Sequence, residues 1–114
     1  MQQRRAPRAV PTVPISAQLL VDGYLVAYGD VSDISLIGAG LLTADGFKVG
    51  DSLELRLALD GSLVLAFHCA AKVVWSRPAV DSDGRTRCGV RWSDGPAVPL
   101  GSLKDLIAAS CKDH

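Results

Sequence analysis

The stretch Ser52-Leu-Glu-Leu-Arg-Leu-Ala-Leu-Asp60 decides the fold. Leu53, Leu55, Leu57 and Leu59 alternate with Ser52, Glu54, Arg56 and Asp60, and only Ala58 blurs the polar face. Leucine favours helices, but this alternation would scatter the leucines around a helical cylinder, whereas on a strand it puts them all on one face. The segment is therefore a strand covering a core on one side.

The same period of two extends outward in both directions. Upstream, Val13, Ile15, Ala17, Leu19 and Val21 fill one phase between Thr12 and Val21, and Asp22-Gly23 then supplies a hairpin dipeptide. A second strand runs from about Tyr24 to Ser35 and a third from about Gly38 to Thr43. Turns follow at Ala44-Asp45-Gly46 and at Lys48-Val49-Gly50. Downstream, Asp60-Gly61 repeats the hairpin signal before a long strand from Ser62 to Ser76, in which Leu63, Leu65, Phe67, Cys69, Val73 and Trp75 share a phase. After a polar loop from Pro78 to Arg87, Cys88, Val90 and Trp92 alternate through a last strand. Ser102 is placed to cap a short helix whose Leu103, Leu106 and Ile107 lie on one face. Six short strands with turn dipeptides between them and one terminal helix predict an all-β fold, a six-stranded antiparallel β-barrel with a short C-terminal α-helix.

Composition bounds the function. The chain has 114 residues, enough for one core, and a formal net charge of zero from 12 Lys and Arg against 12 Asp and Glu, which leaves no overall field to hold a nucleic acid polymer or an anionic membrane. No run approaches the roughly 18 apolar residues that a membrane helix needs, and the polar start lacks a signal-peptide core, so no membrane span and a cytoplasmic location are expected. Cys69, Cys88 and Cys111 are odd in number and widely spaced, and they read as small buried hydrophobes. His68 and His114 have no ligand partners at useful spacing, and Asp81, Asp83 and Asp94 sit on loops, so no metal site is expected. With no cysteine or serine matched to a histidine base, no phosphate-binding loop and no carboxylate pair in an apolar setting, no catalytic residue and no cofactor is assigned.

Two stretches depart from what packing alone dictates. Residues 1–11 are polar, interrupted by Pro7 and Pro11, and carry Arg4, Arg5 and Arg8 with no acid before Asp22: a flexible basic arm ahead of a barrel domain at residues 12–111. In Asp33-Ile-Ser-Leu-Ile-Gly-Ala-Gly-Leu41, an acid, a hydroxyl and two glycines interrupt an apolar strand pattern. On one continuous strand Asp33 and Ser35 share a face. Gly38 and Gly40 suit a bulge, a barrel corner or the close approach of a ligand to the backbone.

Together, Arg4-x-x-x-Arg8 and Asp33-x-Ser35-x-x-Gly38, separated by residues 9 to 32, resemble the bipartite signature of the PilZ domain family, receptors for the bacterial second messenger cyclic di-GMP. The likeness continues through Ala39-Gly40-Leu41, Val73-Val74-Trp75 and Cys88-Gly89-Val90, so it covers nearly the whole chain. It implies a binding module in which the arm folds over a ligand lying against the barrel, with Arg4, Arg8, Asp33, Ser35 and Gly38 as the signature contacts and Arg5 as a third cation. The chemistry agrees. A guanidinium pairs bidentately with phosphate or with guanine O6 and N7, and a carboxylate accepts from the guanine N1–H and N2–H. Trp75 has two readings: its phase places it in the core or at the rim, while in similar proteins a tryptophan at this strand end abuts the guanine. The implied output is a change of shape or partner, hence a downstream protein partner. The competing function is a PilZ-like interaction module that binds a protein and no nucleotide.

Overall fold

The computed structural model describes residues 8–44, 46–59, 66–78 and 84–111, apart from the side chains of Pro78 and Pro96. Six strands, β1 (Ile15–Val21), β2 (Tyr24–Ile34), β3 (Gly38–Thr43), β4 (Ser52–Leu59), β5 (Ala66–Pro78) and β6 (Thr86–Trp92), precede a single 3₁₀ turn at Gly95–Ala97 and the helix α1 (Leu100–Ser110). The strands close into an antiparallel barrel in the order β1-β2-β3-β6-β5-β4, as the alternation predicts.

β4 is the most regular of them. It pairs β1 from Ile15↔Leu59 to Leu20↔Glu54 and β5 from Ser52↔Lys72 to Ala58↔Ala66 with no shift of register on either side. Its Leu53, Leu55 and Leu57 point inward and are buried. They meet Leu19, Leu41, Phe67, Val73 and Cys88 from the other strands, and each leucine taken out of water in this way contributes about 1.5–3 kcal/mol. Phe67 packs edge-on against Trp92, with ring centroids 4.9 Å apart, and the Trp92 indole N–H donates to the Ser35 carbonyl at 3.3 Å. The two turn residues Asp22 and Gly23 both have positive φ, 52° and 82°, which gives a right-handed-twisting hairpin of the type their sequence announces.

α1 lies against β4 and β5 and buries Leu103 and Leu106 completely. Its start differs from the expected one. The position before the helix is Pro99, with no side-chain cap, and Ser102 is an exposed residue of the first turn. Proline is well suited to a helix entry, because its fixed φ leads into the helix where no backbone N–H is needed. At the other end the Ser110 carbonyl accepts from the N–H groups of Thr12 and Val13, at 2.8 and 2.9 Å, so β1 starts at Ile15 and the preceding residues are tied to the helix. The Asp60-Gly61 turn and residues 62–65 lie outside the described residues, as do Asp45, Asp81 and Asp83.

Candidate ligand site

Two bulges shape one side of the barrel. Between Val31↔Leu41 and Asp33↔Gly40, β2 advances two residues while β3 advances one, so Ser32 is extra. Between Val73↔Val90 and Trp75↔Gly89, β5 gains Val74 in the same way against β6. Strict alternation from the buried Val31 and Val73 would send Asp33 and Trp75 into the core. The extra residues reverse the phase, and both side chains turn to the outer face, the local re-aiming that bulges accomplish. Trp75 is thus neither core nor in phase with Phe67.

Between them lie Gly40 and Gly89, which pair with each other across β3 and β6, so Asp33, Gly40, Gly89 and Trp75 form one row over four neighbouring strands. At about 4.8 Å per strand step the row spans roughly 14 Å. Each glycine makes room for its neighbour. A Cβ on Gly89 would come within 2.1 Å of the Trp75 indole nitrogen, and one on Gly40 within 2.7 Å of the Ser32 hydroxyl and 3.0 Å of the Asp33 carboxylate. The indole and the carboxylate therefore lie down on the sheet and form a low, flat patch. Arg77 sits over the indole with its guanidinium carbon 4.9 Å from the ring centroid, a cation–π contact.

Arg8 closes the other end of the row. Ala9 forms an antiparallel bridge with Ile34, its N–H donating to the Ile34 carbonyl at 2.8 Å and its carbonyl accepting from the Ile34 N–H at 2.9 Å. That bridge adds the arm to the free end of β2 and brings the Arg8 guanidinium into an ion pair with the Asp33 carboxylate. Both groups keep solvent access, at 48% and 27% exposure. Arg4 and Arg5 lie outside the described residues.

Ser35 stands where the sequence did not place it. β2 ends at Ile34, and Ser35 enters the turn to β3 with only 2% of its surface exposed. Its hydroxyl oxygen accepts from the Ile37 N–H at 3.2 Å and faces the Gly38 carbonyl at 3.4 Å, to which its own N–H donates at 2.9 Å. The expected shared face with Asp33 is lost because a short polar residue next to a turn bonds the local backbone. Gly38 has a packing reason of its own. A Cβ there would fall 2.0 Å from the Val90 carbonyl oxygen, so β3 could not approach β6 as it does.

The remaining candidates are quiet. Burial pushes the Cys88 thiol up to about 11; burial, reinforced by the nearby Asp94 carboxylate, does the same for Cys69. At neutral pH both stay protonated and poorly nucleophilic. Among the described residues no three His, Cys, Asp or Glu side chains gather to hold a metal ion, and no helix is long and apolar enough to cross a membrane. Gly89 and Arg77 escaped the sequence reading as site residues. The signal for Gly89 was present, a glycine between the inward-facing Cys88 and Val90, but its meaning depends on the register against Trp75.

The architecture is a closed six-stranded antiparallel barrel with a bulge-built polar and aromatic patch on its outer wall and one C-terminal helix. The sequence matches the PilZ domain over residues 2–109, and the chain belongs to that family of receptor and effector domains. Among solved structures it is similar to the PilZ domain of YcgR from Escherichia coli with c-di-GMP, at 19% identity and a TM-score of 0.70, over 96% of this chain and 92% of that one. It is also similar to YcgR from Escherichia coli in complex with c-di-GMP (20%, TM-score 0.71, 95% of this chain) and to the Bacillus subtilis inhibitor of motility MotI/DgrA (18%, TM-score 0.71, 96% of this chain). The chain spans 46% and 50% of the length of those two proteins, and at these identities the likeness concerns the fold. No curated protein matches the sequence.

Proposed function

We propose that this protein is a cytoplasmic cyclic di-GMP receptor, with the ligand held between the arginine-bearing arm and the patch that runs from Asp33 to Trp75. The observation carrying this is the Asp33–Gly40–Gly89–Trp75 row with Arg8 already delivered to one end of it. A dianion with two guanines asks for cations, a carboxylate for the base edge and flat surfaces for stacking, and the row offers all three. In this mechanism the Arg8–Asp33 pair presets the arm. Arg8 swings one face of its guanidinium to the ligand while Asp33 accepts from guanine, and Arg4, assigned by the family signature, closes over the phosphates with Arg5 as a further cation. Ser35 and Gly38 act through the turn that holds Asp33 in place. Ordering of the arm on binding then supplies the signal to a downstream protein partner.

Calorimetric titration with cyclic di-GMP tests the proposal. Micromolar or tighter binding is expected, with loss of at least tenfold in Arg8→Ala and in Asp33→Ala, about 1.4 kcal/mol or more of binding free energy. A folded parent that gives a flat titration replaces this function with that of a protein-interaction module.

A further inference from the structure

The outer wall of β5 and β6 carries an electrostatic oddity. Arg77 stands directly opposite Arg87, and Lys72 directly opposite Arg91, and these two like-charge pairs bracket the Trp75–Gly89 pair on either side. All four residues are exposed, and none takes part in either of the ion pairs among the described residues, Arg8–Asp33 and Arg85–Asp30. Like charges directly opposed across two strands are destabilising. On the flanking strands Arg87 pairs with Leu42, Arg91 with Gly38 and Lys72 with Ser52, so no acid is set opposite these three there either. Along β6 the outward positions read Arg87, Gly89, Arg91, alternating with the buried Cys88 and Val90. The indole thus lies between two cation pairs, one on either side of it along the strands.

We propose that Arg77 with Arg87, and Lys72 with Arg91, form a second cationic half of the ligand site, contributed by β5–β6 and independent of the arm, that holds the phosphates of a purine nucleotide whose base takes the place of the Arg77 guanidinium over the Trp75 ring. The inference deepens the cyclic di-GMP assignment and rests on it. It makes the ligand's charge sandwiched from two directions, by the arm's arginines at the β2 edge and by the β5–β6 pairs at the far edge. A ligand with two phosphates engages both halves; a mononucleotide engages one. It also makes the like-charge pairs a stability cost kept for binding, so that removing one member relieves repulsion in the free protein while weakening the complex.

The test is calorimetric titration with cyclic di-GMP and with GMP, at low and high salt, on the parent, Arg87→Ala, Arg91→Ala, the double variant, and Arg56→Ala as a control. Arg56 is an exposed cation on the outer face of β4, opposite His68 and away from the platform. Each single variant is expected to lose about tenfold in affinity for cyclic di-GMP, the usual consequence of removing one charge-assisted contact, and the double variant more. The salt dependence of binding should flatten in step, and GMP should bind the parent far more weakly. Without ligand, Arg87→Ala and Arg91→Ala should melt at or above the parent's temperature. A double variant that binds cyclic di-GMP within threefold of the parent, or that loses no more than Arg56→Ala, overturns the inference and leaves the arm-based site standing. A folded parent that binds no cyclic di-GMP removes the receptor function and this inference with it.

Discussion

β4 and β1 build one kind of wall; β2, β3, β6 and β5 build another. Along β4 every residue keeps one register on both sides, so an inward leucine follows every outward polar residue and the wall is finished by alternation alone. Besides the bulge that β2 makes at Val26 against β1, the opposite wall spends two extra residues, Ser32 and Val74, and two glycines, Gly40 and Gly89. Nothing in core packing calls for these four. They cost ladder hydrogen bonds and side-chain burial, and they produce a carboxylate and an indole lying flat on the outside. One wall makes the barrel stable, and the other is where the barrel departs from its own rule to present chemistry.

The sharpest way to break this division is to injure each wall and measure both stability and binding. Leu57→Ala in the regular wall removes a fully buried side chain and leaves a cavity at the centre of the core. A loss of about 2–5 kcal/mol in urea unfolding is expected, with ligand affinity at saturating folded protein little changed. Gly89→Val in the bulged wall should do the reverse. The new side chain meets the Trp75 indole at 2.1 Å, but the ring sits at the surface and can lift away, so the stability cost should stay near 1–3 kcal/mol. The platform is lost with it: tryptophan fluorescence should shift to the red and cyclic di-GMP affinity should fall tenfold or more. Parent-like binding by Gly89→Val would show that the flat indole is not part of the site.

The same division explains what the sequence disclosed. The barrel, its strand count, the Asp22-Gly23 turn and the terminal helix were legible because each depends on a local period or a turn dipeptide. Asp33 stood out because a carboxylate has no place in an apolar strand. Trp75 was legible as a residue and not as a direction, since one uncounted residue, Val74, inverts everything that alternation says about it. Ser35 was misplaced for a related reason. A strand's polar last residues and a turn's first look alike in sequence, and only the pairing of Ile34 with Ala39 and Ala9 fixes where β2 stops. Arg77, Arg87, Lys72 and Arg91 were ordinary surface cations until the β5–β6 register set them opposite one another.

Ser35 offers the smallest and finest test, because its hydroxyl sits inside the β2–β3 turn of the bulged wall and not on its outer face. It is buried, it satisfies the Ile37 N–H at 3.2 Å, and it belongs to the turn that carries β2 from Asp33 into β3. Ser35→Ala leaves that partly buried N–H without its acceptor, which should cost about 1 kcal/mol and lower the melting temperature by a few degrees. Affinity for cyclic di-GMP should fall only as far as Asp33 loosens, by a few-fold and well short of the effect of Asp33→Ala. The opposite pattern, an unchanged melting temperature with binding abolished, would mean that the hydroxyl leaves the turn to meet the ligand and that the bound state breaks the Ser35–Ile37 contact. A Ser35→Thr variant separates the cases further. It keeps the acceptor but adds a methyl group inside the turn, so it should keep part of the lost stability only if the turn has room, whereas direct ligand contact through the hydroxyl would survive the change.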